Sequence, residues 1–194
     1  MARPFLTIVT GCYLRPVMLE RNITSVLAQT ERSWQQIFLY GDAESGIGGF
    51  HRRLGERQSE YTGRYIYVLP DDDMLIDSGF IAGLRRICAE HDPDVVMVKA
   101  DKLHLGILPS EQVWGGGKLI FGEVDLLNYI VRAEVWKQHS AAFTNQDYPY
   151  HHGAYAGDYS FIEDVFKSGA RVYWWDRLVA KSQRISHGKP EGAE

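Results

Sequence analysis

Short runs of apolar residues alternate along the chain with segments whose apolar positions recur every three to four residues. Phe5-Leu6-Thr7-Ile8-Val9-Thr10, Gln36-Ile37-Phe38-Leu39-Tyr40, Tyr65-Ile66-Tyr67-Val68-Leu69 and the stretch from Asp94 to Ala100 are of the first kind. Their length and their β-branched and aromatic content predict buried strands. After the first run, Pro16 suits an opening helical turn, and Leu19, Ile23, Val26 and Leu27 share one face up to Thr30. A further helix carries Phe80, Ile81, Leu84, Ile87 and Cys88 on one face, with Asp77 or Ser78 as its cap. This alternation predicts an α/β fold with a mostly parallel central sheet flanked by helices.

The rest of the pattern is less regular. Gly46, Gly48 and Gly49 loosen residues 43–63, where Phe50 to Tyr61 fits an amphipathic helix. Gly115-Gly116-Gly117 interrupts the chain, and the short apolar runs up to Val135 suit strands of a small second sheet. From Ser140 to Gly157 runs a loop bearing Tyr148, Tyr150, His151, His152 and Tyr155. A loop of that length in a compact domain is usually functional or mobile. A helix over about 160–168, a strand from Arg171 to Trp175 and a polar tail complete the expectation, and 194 residues fit one domain.

Composition narrows the function. Apolar and charged fractions of 45% and 24% are those of a soluble globular protein, and a net charge of -4 gives no footprint for nucleic acid. Cys12 and Cys88 read as buried thiols of a reducing compartment. No apolar run reaches membrane-spanning length and the first residues lack a leader pattern, so the expected location is cytoplasmic.

Asp71-Asp72-Asp73 then stands out, directly after a buried strand. Adjacent carboxylates repel, so a metal ion or a basic group is their natural partner. An all-oxygen set suits Mg²⁺ or Mn²⁺, ions that commonly arrive with a substrate's phosphates. Gly11-Cys12-Tyr13 and Gly41-Asp42 follow strands in the same way, and open α/β sheets bind ligands at their strands' carboxyl ends. These three turns are expected to form one crevice.

Four blocks in this order, "PFLTIVTGCYLRP", "LERNITSVLAQT" with "WQQIFLYGDAES", "GRYIYVLPDDDMLID" and "GDYSFIEDVFKSGARVYWWD", resemble the family 2, GT-A-type glycosyltransferases. The resemblance implies a domain over 1–194, with residues 1–101 binding a nucleotide-sugar, a UDP-sugar being favoured, and 102–194 binding a saccharide or other hydroxyl acceptor. It implies that Tyr13 and Asp42 hold the nucleoside and that Asp71 or Asp72 contacts ribose or sugar. By the same resemblance Asp73 ligates Mn²⁺ or Mg²⁺, with His187 returning from the tail toward the metal or diphosphate. Arg52 or Arg53 is a candidate partner for the diphosphate oxygens.

An inverting transfer also needs a carboxylate base for the acceptor hydroxyl. Measured back from Gly169, the family's helix-opening carboxylate is Asp158, and Asp164 is the competitor. At about 100° per residue, Asp158 falls within the stripe of Phe161, Ile162, Val165 and Phe166, whereas Asp164 points away. Ser160 and Glu163 have capping-box spacing, which would instead start the helix beyond Asp158. Two other classes share such a scaffold: a sugar-nucleotide nucleotidyltransferase, for which "TGCYLRP" is a poor phosphate loop, and a non-catalytic nucleotide-sugar-binding protein.

Overall fold

The structure is a computed structural model that describes residues 3–41, 46–116, 118–143 and 157–183. Its chain order is β1 (Leu6–Cys12), α1 (Pro16–Leu27), β2 (Trp34–Tyr40), α2 (Gly46–Glu56), β3 (Tyr65–Val68), β4 (Asp73–Leu75), α3 (Phe80–His91), β5 (Val95–Asp101), β6 (Ile107–Leu108), β7 (Tyr129–Arg132), α4 (Ala133–His139), α5 (Gly157–Lys167) and β8 (Val172–Ser182). The strands form one sheet in the order β2-β1-β3-β7-β5-β8-β4, with β6 added beside β5. Pairing directions make β1, β2, β3, β5 and β8 run one way, with β4, β6 and β7 against them.

Both faces of the sheet are covered, which explains why its strands read as apolar runs. Period-two alternation sends Val9, Ile66, Val68, Val95, Met97 and Val131 to one face, where Leu54, Trp136, Phe161, Ile162 and Val165 cover them. Leu6, Ile8, Tyr65, Tyr67, Val96, Val98 and Ile130 point the other way, against Val26 of α1 and Phe80, Ile81, Leu84 and Ile87 of α3.

Several expectations shift. The short strands after residue 102 do not make a second sheet: β6 and β7 join the main one through β5. Neither Asp77 nor Ser78 is the N-cap of α3; Gly79 is, and Asp77 Oδ1 accepts the Gly79 amide at 2.9 Å while Oδ2 pairs with Arg177 at 2.5 Å. The last strand continues past Trp175 to Ser182, because the apolar run Leu178-Val179-Ala180 resumes burial after exposed Asp176 and Arg177. At the amino ends of the parallel strands, Asp92 and Asp94 pair with Arg64, Arg132 and Arg171. The opposite edge holds the acidic turn.

Candidate active site

Because β1, β2 and β3 are parallel, their carboxyl ends and the turns after them lie along one edge. Backbone bonds stitch the turns together: Leu69 donates to the Val9 carbonyl at 2.9 Å, Asp71 to Gly11 at 3.1 Å and Gly41 to Cys12 at 3.4 Å. Asn22, buried on α1, holds the acidic turn from below by donating to the carbonyls of Pro70 at 2.8 Å and Asp73 at 2.9 Å. A cleft of about 270 Å³ opens above, lined among others by Tyr13, Arg15, Asp72, Asp73, Lys102, Asp125 and Asp158.

The three adjacent aspartates have three different jobs. Asp71 turns inward, accepting the Tyr13 amide at 2.7 Å and one arm of the Arg15 guanidinium. The other arm of Arg15 takes Asp72, whose side chain lines the cleft. Asp73 belongs to β4 rather than to the turn, and its Oδ1 accepts the Ser182 hydroxyl at 2.7 Å where β4 pairs with β8. Burial pushes the Asp73 carboxyl up to about 7, against the pull of the Lys102 charge.

The sequence alone missed Lys102 and Asp125. Lys102 follows the carboxyl end of β5, a fourth strand end on the same edge, and is 7% exposed. Its Nζ lies 2.5 Å from Asp125 Oδ2. Asp125 is itself fixed as the cap of the short 3-10 turn Leu126–Asn128, accepting the Leu127 amide at 2.9 Å while Asn128 Oδ1 accepts the Asp125 amide at 3.0 Å. The available signal was position: an Asp101-Lys102 pair directly after a buried strand, as at the other three ends.

Asp158 completes the wall. The helix α5 starts at Gly157, so Asp158 sits in its first turn and the later capping-box start is not used. Its Oδ1 accepts the Tyr159 amide at 2.8 Å, and the buried Tyr129 hydroxyl donates to its carbonyl at 3.0 Å. Burial, with nearby Asp125 adding to it, pushes this carboxyl up to about 7. Glu163 instead pairs with Lys167 at 2.7 Å along the helix surface, and Asp164 does not line the cleft.

Two glycines let side chains of α2 close over the strand ends. A methyl group on Gly11 would meet the Phe50 ring at 2.4 Å, and one on Gly41 would meet an Arg53 guanidinium nitrogen at 2.2 Å. Arg53 therefore lines the cleft, whereas Arg52 is exposed beside Glu56 at 3.8 Å and does not. Buried His51, between the rings of Phe50 and Phe143, is pushed down to about 3 by burial and stays neutral. Tyr13 lines the cleft, its ring 5.6 Å from the Arg15 guanidinium carbon. Asp42, His187 and the aromatic loop around His151 and His152 lie outside the described residues. Among the described residues, no group of three or more His, Cys, Asp or Glu side chains is arranged as a metal cage, and no helix is long and apolar enough to cross a membrane.

No family model and no curated protein matches the sequence. Solved structures do resemble the fold. The S. aureus TarS crystal structure superposes with a TM-score of 0.65 at 12% identity, over 92% of this chain and 36% of TarS. TarS 1-349 in complex with UDP-GlcNAc gives 0.67 at 11% identity, over 94% and 60%. A UDP complex of the same TarS fragment gives 0.65, and A197 from STIV gives 0.52 at 13% identity, over 88% and 81%. The fold is GT-A-like. At these identities the likeness speaks for architecture, and the chain spans between 36% and 60% of the TarS chains it matches.

Proposed function

We propose that this chain is a glycosyltransferase that moves a sugar from a nucleotide-diphosphate donor, a UDP-sugar being favoured, to a hydroxyl acceptor, with inversion at the transferred carbon. One observation carries the reading: Asp72, Asp73 and Asp158 converge on a single cleft at the carboxyl ends of parallel strands. The UDP and UDP-GlcNAc complexes of TarS, a protein of similar fold, support the choice of donor class.

In this reading Tyr13, Arg53 and, beyond the described residues, Asp42 hold the nucleoside and its phosphates. Asp72 faces ribose or sugar, since Asp71 is committed to the Tyr13 amide and Arg15. The residues fit a divalent cation of the Mg²⁺ or Mn²⁺ type. The acidic side chains that line the cleft, Asp72, Asp73, Asp125 and Asp158, offer hard carboxylate oxygens, with Arg15, Arg53 and Lys102 beside them. Such ions are typically held by one or two carboxylates plus substrate phosphates, and Asp73 is the carboxylate offered here. When bound, the ion would stabilise negative charge on the departing diphosphate.

Asp158 takes the proton of the acceptor hydroxyl as that oxygen attacks the anomeric carbon and the bond to the diphosphate breaks. A carboxyl held near 7 by burial is well matched to that task at neutral pH. Residues 102–194 would supply the acceptor side. The test is nucleoside diphosphate release from UDP-GlcNAc and other sugar nucleotides with Mn²⁺, by wild type and Asp158→Asn. Release by wild type that the variant cannot match supports transfer; equal release by both removes Asp158 from the chemistry.

A further inference from the structure

Lys102 is the one buried lysine among the described residues, and it is buried on the wall of a cleft rather than in the core. Its charge acts on every carboxylate that lines that cleft. The ammonium pairs with Asp125 at 2.5 Å, feels Asp73 and Asp72, and is felt in turn by Asp158. Burial works against the ammonium, and the surrounding carboxylates outweigh it, so the group stays charged. A buried ion pair is a poor source of stability compared with apolar packing, so stability is weak grounds for placing a lysine here.

The carboxylates around Lys102 include those that a divalent cation would use. An ammonium and a metal ion drawn to neighbouring carboxylates are like charges, and at close range in a partly desolvated cleft they oppose each other strongly. We infer that Lys102 is a resident counter-cation that makes divalent-metal binding depend on the donor diphosphate. In the nucleotide-free protein its ammonium pairs with Asp125 and its charge falls on Asp73 and Asp72, and a metal ion alone has to enter against that charge. A diphosphate brings further negative oxygens that partner both the ammonium and the metal, so metal and nucleotide enter together. This inference rests on the donor-site reading and adds to it a reason for coupled entry. It also makes Lys102 a positioning residue with a measurable thermodynamic signature.

The experiment is titration of Mn²⁺ alone, and of Mn²⁺ at saturating UDP, into wild type, Lys102→Met and Lys102→Arg, read by calorimetry or by the paramagnetic resonance of free Mn²⁺. Lys102→Gln, which keeps a hydrogen bond for Asp125 without the charge, replaces Lys102→Met if that variant does not fold. The expected result is Mn²⁺ affinity without nucleotide raised on the order of tenfold by Lys102→Met, and left near the wild-type value by Lys102→Arg. The factor by which UDP raises Mn²⁺ affinity should shrink in Lys102→Met, a coupling that must read the same from either ligand. Unchanged or weaker Mn²⁺ binding by the neutral variants, or an unchanged coupling factor, overturns the inference. If wild type binds UDP with Mn²⁺ while the neutral variants behave like it, the donor-site reading survives and only this inference fails. If wild type binds none of UDP, GDP, CDP and dTDP with Mn²⁺, the reading and the inference fall together.

Discussion

The guanidinium of Arg15 bridges the side chains of Asp71 and Asp72, one arm to each, and all three residues are buried. The basic partner demanded by adjacent carboxylates is thus supplied within the chain, from the turn after β1 to the turn after β3. Removing one member of a buried ion pair costs roughly 3–5 kcal/mol, because the remaining charges are left uncompensated. Arg15→Met should therefore lower unfolding stability by about that amount, measured by urea denaturation, and Arg15→Lys should restore little because an ammonium lacks the two-armed fork. A stable Arg15→Met protein would mean that water or another cation serves the pair.

Asn22 supports the same turn from the opposite side through bonds to Pro70 and Asp73. Asn22→Ala takes one donor from each of those carbonyls, which keep the Asp73 amide at 3.0 Å and Gln183 Nε2 at 3.4 Å, a loss of about 0.5–1.5 kcal/mol per bond. Denaturation measures the cost, and nucleotide affinity should weaken with it because the carboxylates of Asp72 and Asp73 lose their support.

Asp158 makes a pH prediction whose sign follows from its raised value. Below about pH 4 its carboxyl is protonated in folded and unfolded chains alike. As pH climbs toward 7 the unfolded chain has released the proton that the folded protein still holds, so this group's contribution to stability declines through that window. Asp158→Asn keeps the oxygen that accepts the Tyr159 amide and removes the titration. The fall in denaturation midpoint between pH 5 and pH 8 should be smaller in the variant than in wild type, and an identical fall would show that Asp158 titrates normally. Wild-type kcat/KM should rise with pH through the region around 7 as the base form is populated.

Arg53 and Arg52 are sequence neighbours that point to different places, so they form a matched pair of variants. Arg53→Gln should weaken UDP binding by roughly tenfold, the scale of one charge-assisted hydrogen bond to phosphate. Arg52→Gln should leave it unchanged, since Arg52 lies beside Glu56 in solvent. Calorimetry on both proteins decides the matter, and the reverse ranking would contradict the geometry at Gly41.

What the sequence made legible follows from how the structure is held. The strands announce themselves because the sheet is covered on both faces, so Leu6 to Val9 and Val95 to Val98 are apolar at every position except Thr7. That the turns after β1 and β3 share a cleft follows from parallel strands alone, while Asp42 of the turn expected beside them lies outside the described residues. Partnerships between side chains far apart in sequence do not leave a pattern: Arg15 and Asp71 are 56 residues apart, and Ser182 and Asp73 are 109 apart. Lys102 and Asp125 were hidden for the same reason. Arg53 rather than Arg52 lines the cleft because one helical step turns a side chain by about 100°, and the irregular start of α2 gave no stripe from which to fix its phase.

The central claim is that the cleft over Asp72, Asp73 and Lys102 is a nucleotide-diphosphate site. Calorimetric titration of UDP with Mn²⁺ into wild type and Asp73→Asn tests it most directly. The account predicts saturable binding by wild type and a loss of at least roughly tenfold in affinity for the variant, the scale of one metal-held carboxylate. Equal UDP affinity in the two proteins, or no binding of UDP, GDP, CDP or dTDP to wild type, would contradict it.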